Sequence, residues 1–285
     1  YMGAYIDDEI IDQLAVRYGL TDQQLYSRTH IMVMDAVRQA FEMCDVNSIR
    51  SKKSSIALGC MTLDEKIPKA QFYLEHDNIR SLIDSAEQPD EIKALAKERV
   101  DRWFEKYDTL LPKDREQLLQ SMIGSDYCMI INERYDLQAE HMLIDAACAS
   151  SLAAIDVSVK KLRSKEIDYA ITGGIDSFLS EELYVVFSSA GALASERCLP
   201  FDSRTQGMSQ GEGVVVFVLE RLKDALINNY KVYGVIKSVG SSSDGRGGNL
   251  FAPTIAGQTR TIERAYTPLN EGRVDYLECH GTGTV

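Results

Sequence analysis

From residue 140 onward the chain alternates between apolar runs of strand length and amphipathic runs of helix length. No other feature restricts the possible folds as tightly. "MLIDAA" reads as a strand, 148–164 as a helix, "IDYAITGG" as a strand and "SEELYVVFSSA" as a helix. "GEGVVVFVLE" then reads as a buried strand and "RLKDALINN" as a helix. "KVYGVIKSVGSSSD" reads as a long strand, 257–267 as a helix and "VDYLECH" as a final strand. Strands separated by helices predict an α/β fold in which helices cover mixed sheets.

The first half is less regular. Residues 30–44 place apolar side chains at helical spacing, and "SSIALGCM" (54–61) suits an interior strand. Residues 62–120 turn charged, and an amphipathic helix is expected at 91–111. Its Ile92, Leu95, Val100, Trp103, Phe104 and Tyr107 can share one face. A chain of 285 residues, 45% hydrophobic, suffices for one large domain or two interlocked halves. It opens at Tyr1 rather than Met and closes just after a Gly-Thr-Gly-Thr turn, which suggests a piece of something longer. No apolar run approaches the roughly 18 residues of a membrane span, and no signal peptide opens the chain. A net charge of -12 argues against a general nucleic-acid binder, although Lys160, Lys161, Arg163 and Lys165 form a local basic patch. The six cysteines show no paired spacing, so free thiols in the cytoplasm are expected, with neither a disulfide framework nor a metal site.

One cysteine sits in an unusual place. In "IDAACASSLAA", Cys148 falls where an expected strand turns into an expected helix. The unpaired N–H groups and positive dipole end of a helix favour a thiolate there. Ala146, Ala147, Ala149, Ser150 and Ser151 are small enough for a sharp corner with room for a substrate, the logic of a nucleophile elbow. Cysteine is also among the most buried residue types, so simple packing is the competing role. A partner tips the balance. "ECHGTGT" places His280 where another apolar run meets a glycine-threonine loop, and Cys with His is the minimal thiol-catalysis pair.

Six motifs stand in one order: "DAACASSLAA", "ITGGID", "PFDSRTQGMSQGEG", "VLERLKDA", "GSSSDGRGG" with "APTIAGQ", and "ECHGTGT". In this the chain resembles the β-ketoacyl synthases, most of all the ketosynthase domains of polyketide and polyunsaturated-fatty-acid synthases. The likeness is specific over about 122–285, weaker over 1–62 and poorest over 62–120, where only a helical excursion is expected. It implies a thiolase-like layered αβαβα fold, incomplete in its C-terminal half, with the whole of 1–285 forming one ketosynthase domain fragment. It further implies a homodimer, neighbouring domains of a multidomain synthase, and an acyl carrier protein that delivers phosphopantetheine thioesters. No cofactor of the chain's own is implied.

By the same resemblance Cys148 accepts the acyl chain, and His280 stabilises the enolate formed when a malonyl-type unit loses carbon dioxide. Thr282 and Thr284 match positions that hold the pantetheine arm, and Phe187 matches the aromatic that gates the acyl pocket. A core aromatic is an equal reading of Phe187. "SQGEGVVVF" and "GSSSDGRGG" read as tight loops; neither matches a P-loop. Departures from the family pattern are Ala146 for Thr, Ala149 for Ser and Cys279 for Ala. The stretch "CMIINERYDLQAEH" also lacks the usual Ala-Gly-Arg and Gly-Pro. The family's second histidine, its nearby lysine and its C-terminal glycine loop would follow Val285, and its first strand would precede Tyr1. His141 cannot substitute, because seven extended residues put it up to about 23 Å from Cys148 at ~3.3 Å per residue. His30 and His76 take no role. The competing functions are a thiolase-like acyltransferase using coenzyme A and a non-catalytic partner subunit.

Overall fold

A computed structural model of the chain describes residues 3–23, 25–61, 66–112, 114–120, 126–177, 179–245, 253–269 and 273–284. The elements run in the order β1 (Gly3–Ala4), α1 (Asp8–Tyr18), α2 (Arg28–Phe41), α3 (Val46–Ser51) and β2 (Ser54–Cys60). Four helices follow, α4 (Lys66–Leu74), α5 (His76–Ser85), α6 (Asp90–Leu110) and α7 (Arg115–Gln120). The alternating region then comprises α8 (Asp126–Tyr135), β3 (Glu140–Ile144), α9 (Ser150–Arg163), β4 (Tyr169–Asp176) and α10 (Glu181–Ser189). The remaining elements are β5 (Gln210–Gly211), β6 (Gly213–Glu220), α11 (Leu222–Ile227) and α12 (Ile255–Tyr266).

The sheet order is β3-β2-β4-β6, with β2 parallel to both neighbours and β6 antiparallel to β4. Every residue of β2 is buried, as a central strand covered on both faces requires. Alternation along the strands separates the two faces. Ile56 and Leu58 of β2 join Tyr169, Ile171 and Ile175 of β4 in the main core, where α2 and α8 supply Val33, Met34, Val37, Cys128 and Ile131. The opposite face carries smaller side chains and is covered by α9, which packs on both β2 and β4. Helix, sheet and helix thus make three layers of the expected α/β architecture.

Local chemistry sets several boundaries. Asp7 caps α1 by accepting from the Glu9 amide, and the helix stops at Gly19 in the left-handed region (φ 69°). Thr254 caps α12 through the Gly257 amide at 3.0 Å. A buried ion pair ties the N-terminal segment to the glycine-rich stretch. Glu212, only 2% exposed at its side chain, accepts from Arg28 Nε at 3.1 Å and from the Ile6 amide at 2.6 Å. A carboxylate there would repel phosphate, which agrees with reading "SQGEG" as a structural loop.

The structure corrects three expectations. The runs 231–244 and 274–280 form no strand among the described residues: Tyr233, Val235, Tyr276 and Leu277 are all exposed and no neighbouring strand offers a ladder. Strand β6 is only half covered, because Val214, Val216 and Val218 face the core while Val215 and Phe217 are exposed. On α6 the expected apolar face is not buried; Ile92, Leu95 and Trp103 are each more than half exposed. Its Trp103, Phe104 and Tyr107 make ring contacts with Phe72, Tyr73 and His76 of α4 and α5. Among the described residues no helix is long and apolar enough to cross a membrane.

Candidate active site

The chain leaves β3 at Ile144 and enters α9 at Ser150, turning in five residues. Hydrogen bonds define the turn. Asp145 Oδ1 accepts from the Ala147 amide at 2.9 Å, and the Ala149 and Ser150 amides donate to the carbonyls of Ala146 and Ala147. Ser150, buried, bonds in both directions: its Oγ accepts from the Ala146 amide at 2.8 Å and donates to the Ala147 carbonyl at 2.6 Å. Ala147 takes a positive φ of 50°, an uncommon conformation for a residue with a side chain and a frequent mark of functional corners. Cys148 follows it, exposed, and immediately precedes Ala149, the N-cap of α9. The expectation of a helix starting at 148 shifts accordingly: the thiol sits on the turn, just ahead of the helix.

Two sheet glycines make the corner possible. A Cβ on Gly59 of β2 would stand 2.2 Å from the Ser150 carbonyl carbon, and one on Gly174 of β4 would stand 2.5 Å from Ser151 Cβ. Real Cβ atoms do not approach so closely, so the first turn of α9 lies directly on the sheet only because both positions are glycine. Sequence patterning gives no sign that either glycine, or the Ser150 hydroxyl, shapes the site. "ITGGID" marks the second glycine only as part of a motif.

The six thiols differ in environment. Cys148 and Cys279 are exposed, Cys44 and Cys198 half-buried, Cys60 and Cys128 buried. Burial, with a smaller contribution from the Asp45 charge, pushes the Cys44 thiol up to about 11. Burial, followed by the neighbouring Cys60, pushes Cys128 up to about 12. Such thiols stay protonated and unreactive at neutral pH.

His280 lies exposed on the segment 273–284, which also lines a cleft of about 300 Å³ bounded by Phe201, Tyr276, Cys279 and Gly281. The glycine-threonine loop turns on Gly281 (φ 53°) and Gly283 (φ 71°), both left-handed. Thr282 and Thr284 hydrogen-bond to each other through their hydroxyls at 2.9 Å. Phe187 lies half-buried on α10, so it is neither a fully packed core aromatic nor a free one. No hydrogen bond or ion pair joins Cys148 to His280 among the described residues.

His30, His76 and His141 each have contacts of their own. His30 is 3% exposed and completes a cap at the start of α2. Its Nδ1 accepts from the Ser27 amide at 3.1 Å and lies 2.9 Å from Ser27 Oγ, while Nε2 lies 3.1 Å from Asp126. This resembles a hydrolase triad on paper, but Ser27 is itself 2% exposed and no substrate reaches it. His141 pairs in register with Ile56, at the end of β3 remote from the corner. The "GSSSD" loop is held to its neighbours by Ser241 on Asp156 (2.9 Å), Ser242 on Thr261 (2.6 Å) and Asp244 on Thr254 (2.6 Å). Arg246 to Gly248 of that stretch lie outside the described residues.

Residues 4–225 match the family described as "Beta-ketoacyl synthase, N-terminal domain" and residues 233–285 match "Beta-ketoacyl synthase, C-terminal domain". A polyunsaturated fatty acid synthase chain of Thraustochytrium sp. is 32% identical over 183 residues, 63% of this chain and 6% of the relative. A phenolphthiocerol/phthiocerol polyketide synthase chain of Mycobacterium tuberculosis is 38% identical over 153 residues, 53% of this chain and 8% of the relative. The chain therefore spans less than a tenth of either relative. Among solved structures, the ketosynthase from module 6 of the bacillaene synthase of Bacillus subtilis 168 superposes with a TM-score of 0.67. It is 25% identical and the match covers 92% of this chain and 39% of that one.

Proposed function

This chain belongs to the β-ketoacyl synthase family, and from that premise we propose that its thiolase-like fold carries out decarboxylative carbon–carbon bond formation on carrier-bound thioesters. Cys148 is the acyl acceptor. Its thiolate attacks the carbonyl carbon of an acyl thioester on phosphopantetheine, and the pantetheine thiolate departs as the new thioester to Cys148 forms. A malonyl-type thioester then loses carbon dioxide, and the electron pair of the broken bond becomes an enolate. The enolate carbon attacks the acyl carbonyl, the sulfur of Cys148 leaves, and a β-ketoacyl thioester remains on the carrier. His280 donates a hydrogen bond to the enolate oxygen, Thr282 and Thr284 hold the pantetheine arm, and Phe187 borders the acyl pocket.

The observation that carries this reading is the corner itself. An exposed thiol stands between a residue of strained φ and the N-cap of a helix, whose first turn rests on two glycines that leave no room for a Cβ. The partners that follow are an acyl carrier protein and, for residues 1–285 as one ketosynthase domain fragment, other domains of a larger synthase. A second copy of the chain is expected along β3, which is an outer strand of the sheet.

Two substitutions in the full-length protein test the division of roles. Cys148→Ala abolishes acyl-enzyme formation, because no thiol remains to take the chain. His280→Ala still acquires the acyl mass but loses condensation by roughly 10²-fold, the scale for removing a donor to a developing oxyanion. Intact-protein mass spectrometry with acyl-carrier protein, then product analysis with malonyl-carrier protein, reads both steps. Acylated Cys148→Ala, or His280→Ala with normal condensation, refutes the assignment.

A further inference from the structure

Among the described residues no ladder holds the segment bearing His280, and its two left-handed glycines leave its backbone free of the usual steric limits. What holds it is the stretch between α10 and β5. The Cys198 thiol donates to the Thr282 carbonyl at 3.1 Å. The Gly207 amide at 2.9 Å and the Thr205 hydroxyl both donate to the Gly283 carbonyl. Thus two consecutive carbonyls, those of Thr282 and Gly283, take three donors from one neighbouring loop. The packing is close: a Cβ on Gly283 would stand 3.0 Å from Cys198 Sγ, from Thr205 Oγ1 and from the Gly207 carbonyl oxygen.

The donor loop is itself fixed. Gly207 is buried at φ 142°, where a Cβ would come within 2.4 Å of the Leu193 carbonyl carbon. Leu193 and Met208 form an isolated parallel bridge, with the Ala194 amide donating to Met208 at 2.9 Å and the Met208 amide to Ala192 at 2.8 Å. The Ala192 amide in turn donates to the Phe187 carbonyl at 2.9 Å. An unbroken run of backbone bonds therefore leads from α10 to Gly283.

We infer that Cys198 and Thr205 are positioning residues for the pantetheine-holding loop: their side-chain donors fix the backbone from which Thr282 and Thr284 project. The inference deepens the function proposed above and rests on it for the identity of the ligand. Neither residue touches the reacting atoms; each acts through the carbonyl it holds.

The test uses the full-length protein and the variants Thr205→Val, Thr205→Ser, Cys198→Ala and Cys198→Ser. Valine keeps the shape of threonine without its donor, and serine keeps a donor at either position. Two readouts are combined. Hydrogen exchange at the Gly207 amide reports whether the loop is held. Acylation of Cys148 by an acyl-pantetheine thioester, compared with an acyl thiophenyl ester that has no amide to grip, reports whether the arm is held. Thr205→Val and Cys198→Ala should speed Gly207 exchange and raise KM for the pantetheine thioester by about fivefold to tenfold, the scale of one lost hydrogen bond. The thiophenyl ester should react as in wild type, and both serine variants should restore the pantetheine preference. Unchanged Gly207 exchange in Thr205→Val, equal loss with both thioesters, or no rescue by serine overturns the inference. If wild-type Cys148 accepts neither thioester, the proposed function fails, while the exchange measurements still decide whether these side chains hold the loop.

Discussion

Gly59 and Ser150 meet backbone to backbone: a methyl group on the glycine would stand 2.2 Å from the serine's carbonyl carbon and 2.3 Å from its carbonyl oxygen. The contact joins the central strand to the first residue of the helix behind Cys148, so the sheet determines where the thiol stands.

Gly59→Ala should therefore act on stability and on the thiol together. Backbone cannot swing aside as a side chain can, and the added methyl must lift α9 or bend β2. A loss of about 2 kcal/mol is expected in urea unfolding, in the range for overpacked cores. Iodoacetamide alkylation of Cys148 should change by about tenfold, since the corner moves with the helix. A variant with wild-type stability and wild-type alkylation would show that the corner does not depend on this contact.

The thiols should separate by environment under native conditions. Limited iodoacetamide labelling with peptide mapping is expected to modify Cys148 first, because it alone combines exposure with a helix N-terminus. Cys279 is the relevant competitor, being equally open to solvent but on no helix. Cys44 and Cys128, pushed up to about 11 and about 12, should react last. Early modification of Cys60 or Cys198 would contradict this order.

Glu212 offers a stability test remote from the thiol. Its carboxylate is buried and paired with Arg28, whose side chain is 17% exposed. Glu212→Gln keeps the shape but leaves the guanidinium with the exposed Asp8 carboxylate as its remaining charged partner at 2.6 Å, and a cost of about 2 kcal/mol is expected in denaturant unfolding, the scale of a hydrogen bond to a charged group. Loss of less than about 0.5 kcal/mol, the scale of ordinary surface changes, would mean that the pair contributes nothing to folding.

Asp202 sets a pH dependence within the "PFDSR" loop. Arg204 bonds it through the guanidinium at 2.9 and 2.7 Å, and through its backbone amide at 2.8 Å, holding the carboxyl down at about 2. The unfolded value is about 3.9, so the folded group is depressed. Its stabilising contribution is complete above about pH 3.9 and is lost as the pH falls through about 2. Carbon-detected NMR titration should place the Asp202 midpoint near 2, and Arg204→Gln should move it towards the unfolded value. A wild-type midpoint already at the unfolded value would remove the effect.

Much of this was readable in the chain, and the limits have physical causes. The apolar periods identified α2, α6, α9, β2 and β4 to within a few residues, because each element is chosen locally by which face it presents. The small residues around Cys148 announced a corner for the same reason. Periodicity cannot say whether a neighbour exists to receive that face. Tyr233, Val235, Tyr276 and Leu277 carry a strand's pattern with no ladder to join, and Val215 and Phe217 alternate correctly on a strand that is half open. Distance along the chain hid the rest. Gly59 acts on a residue 91 positions later, and Cys198 on one 84 positions later. Neither contact leaves a mark in its own neighbourhood.

The helices of the 62–120 region meet mainly one another. Tyr73 stacks on Phe104 with centroids 4.8 Å apart, His76 lies 4.1 Å from the same ring, and none of these aromatics belongs to the main core. The turn between α5 and α6, exposed at Glu87 and Gln88, thus hangs from a small cluster of its own. For protein engineering this is a splice point. A reporter domain or affinity tag inserted between Glu87 and Gln88 would load that cluster rather than the β3–α9 corner, leaving the thiol in its native setting for measurement.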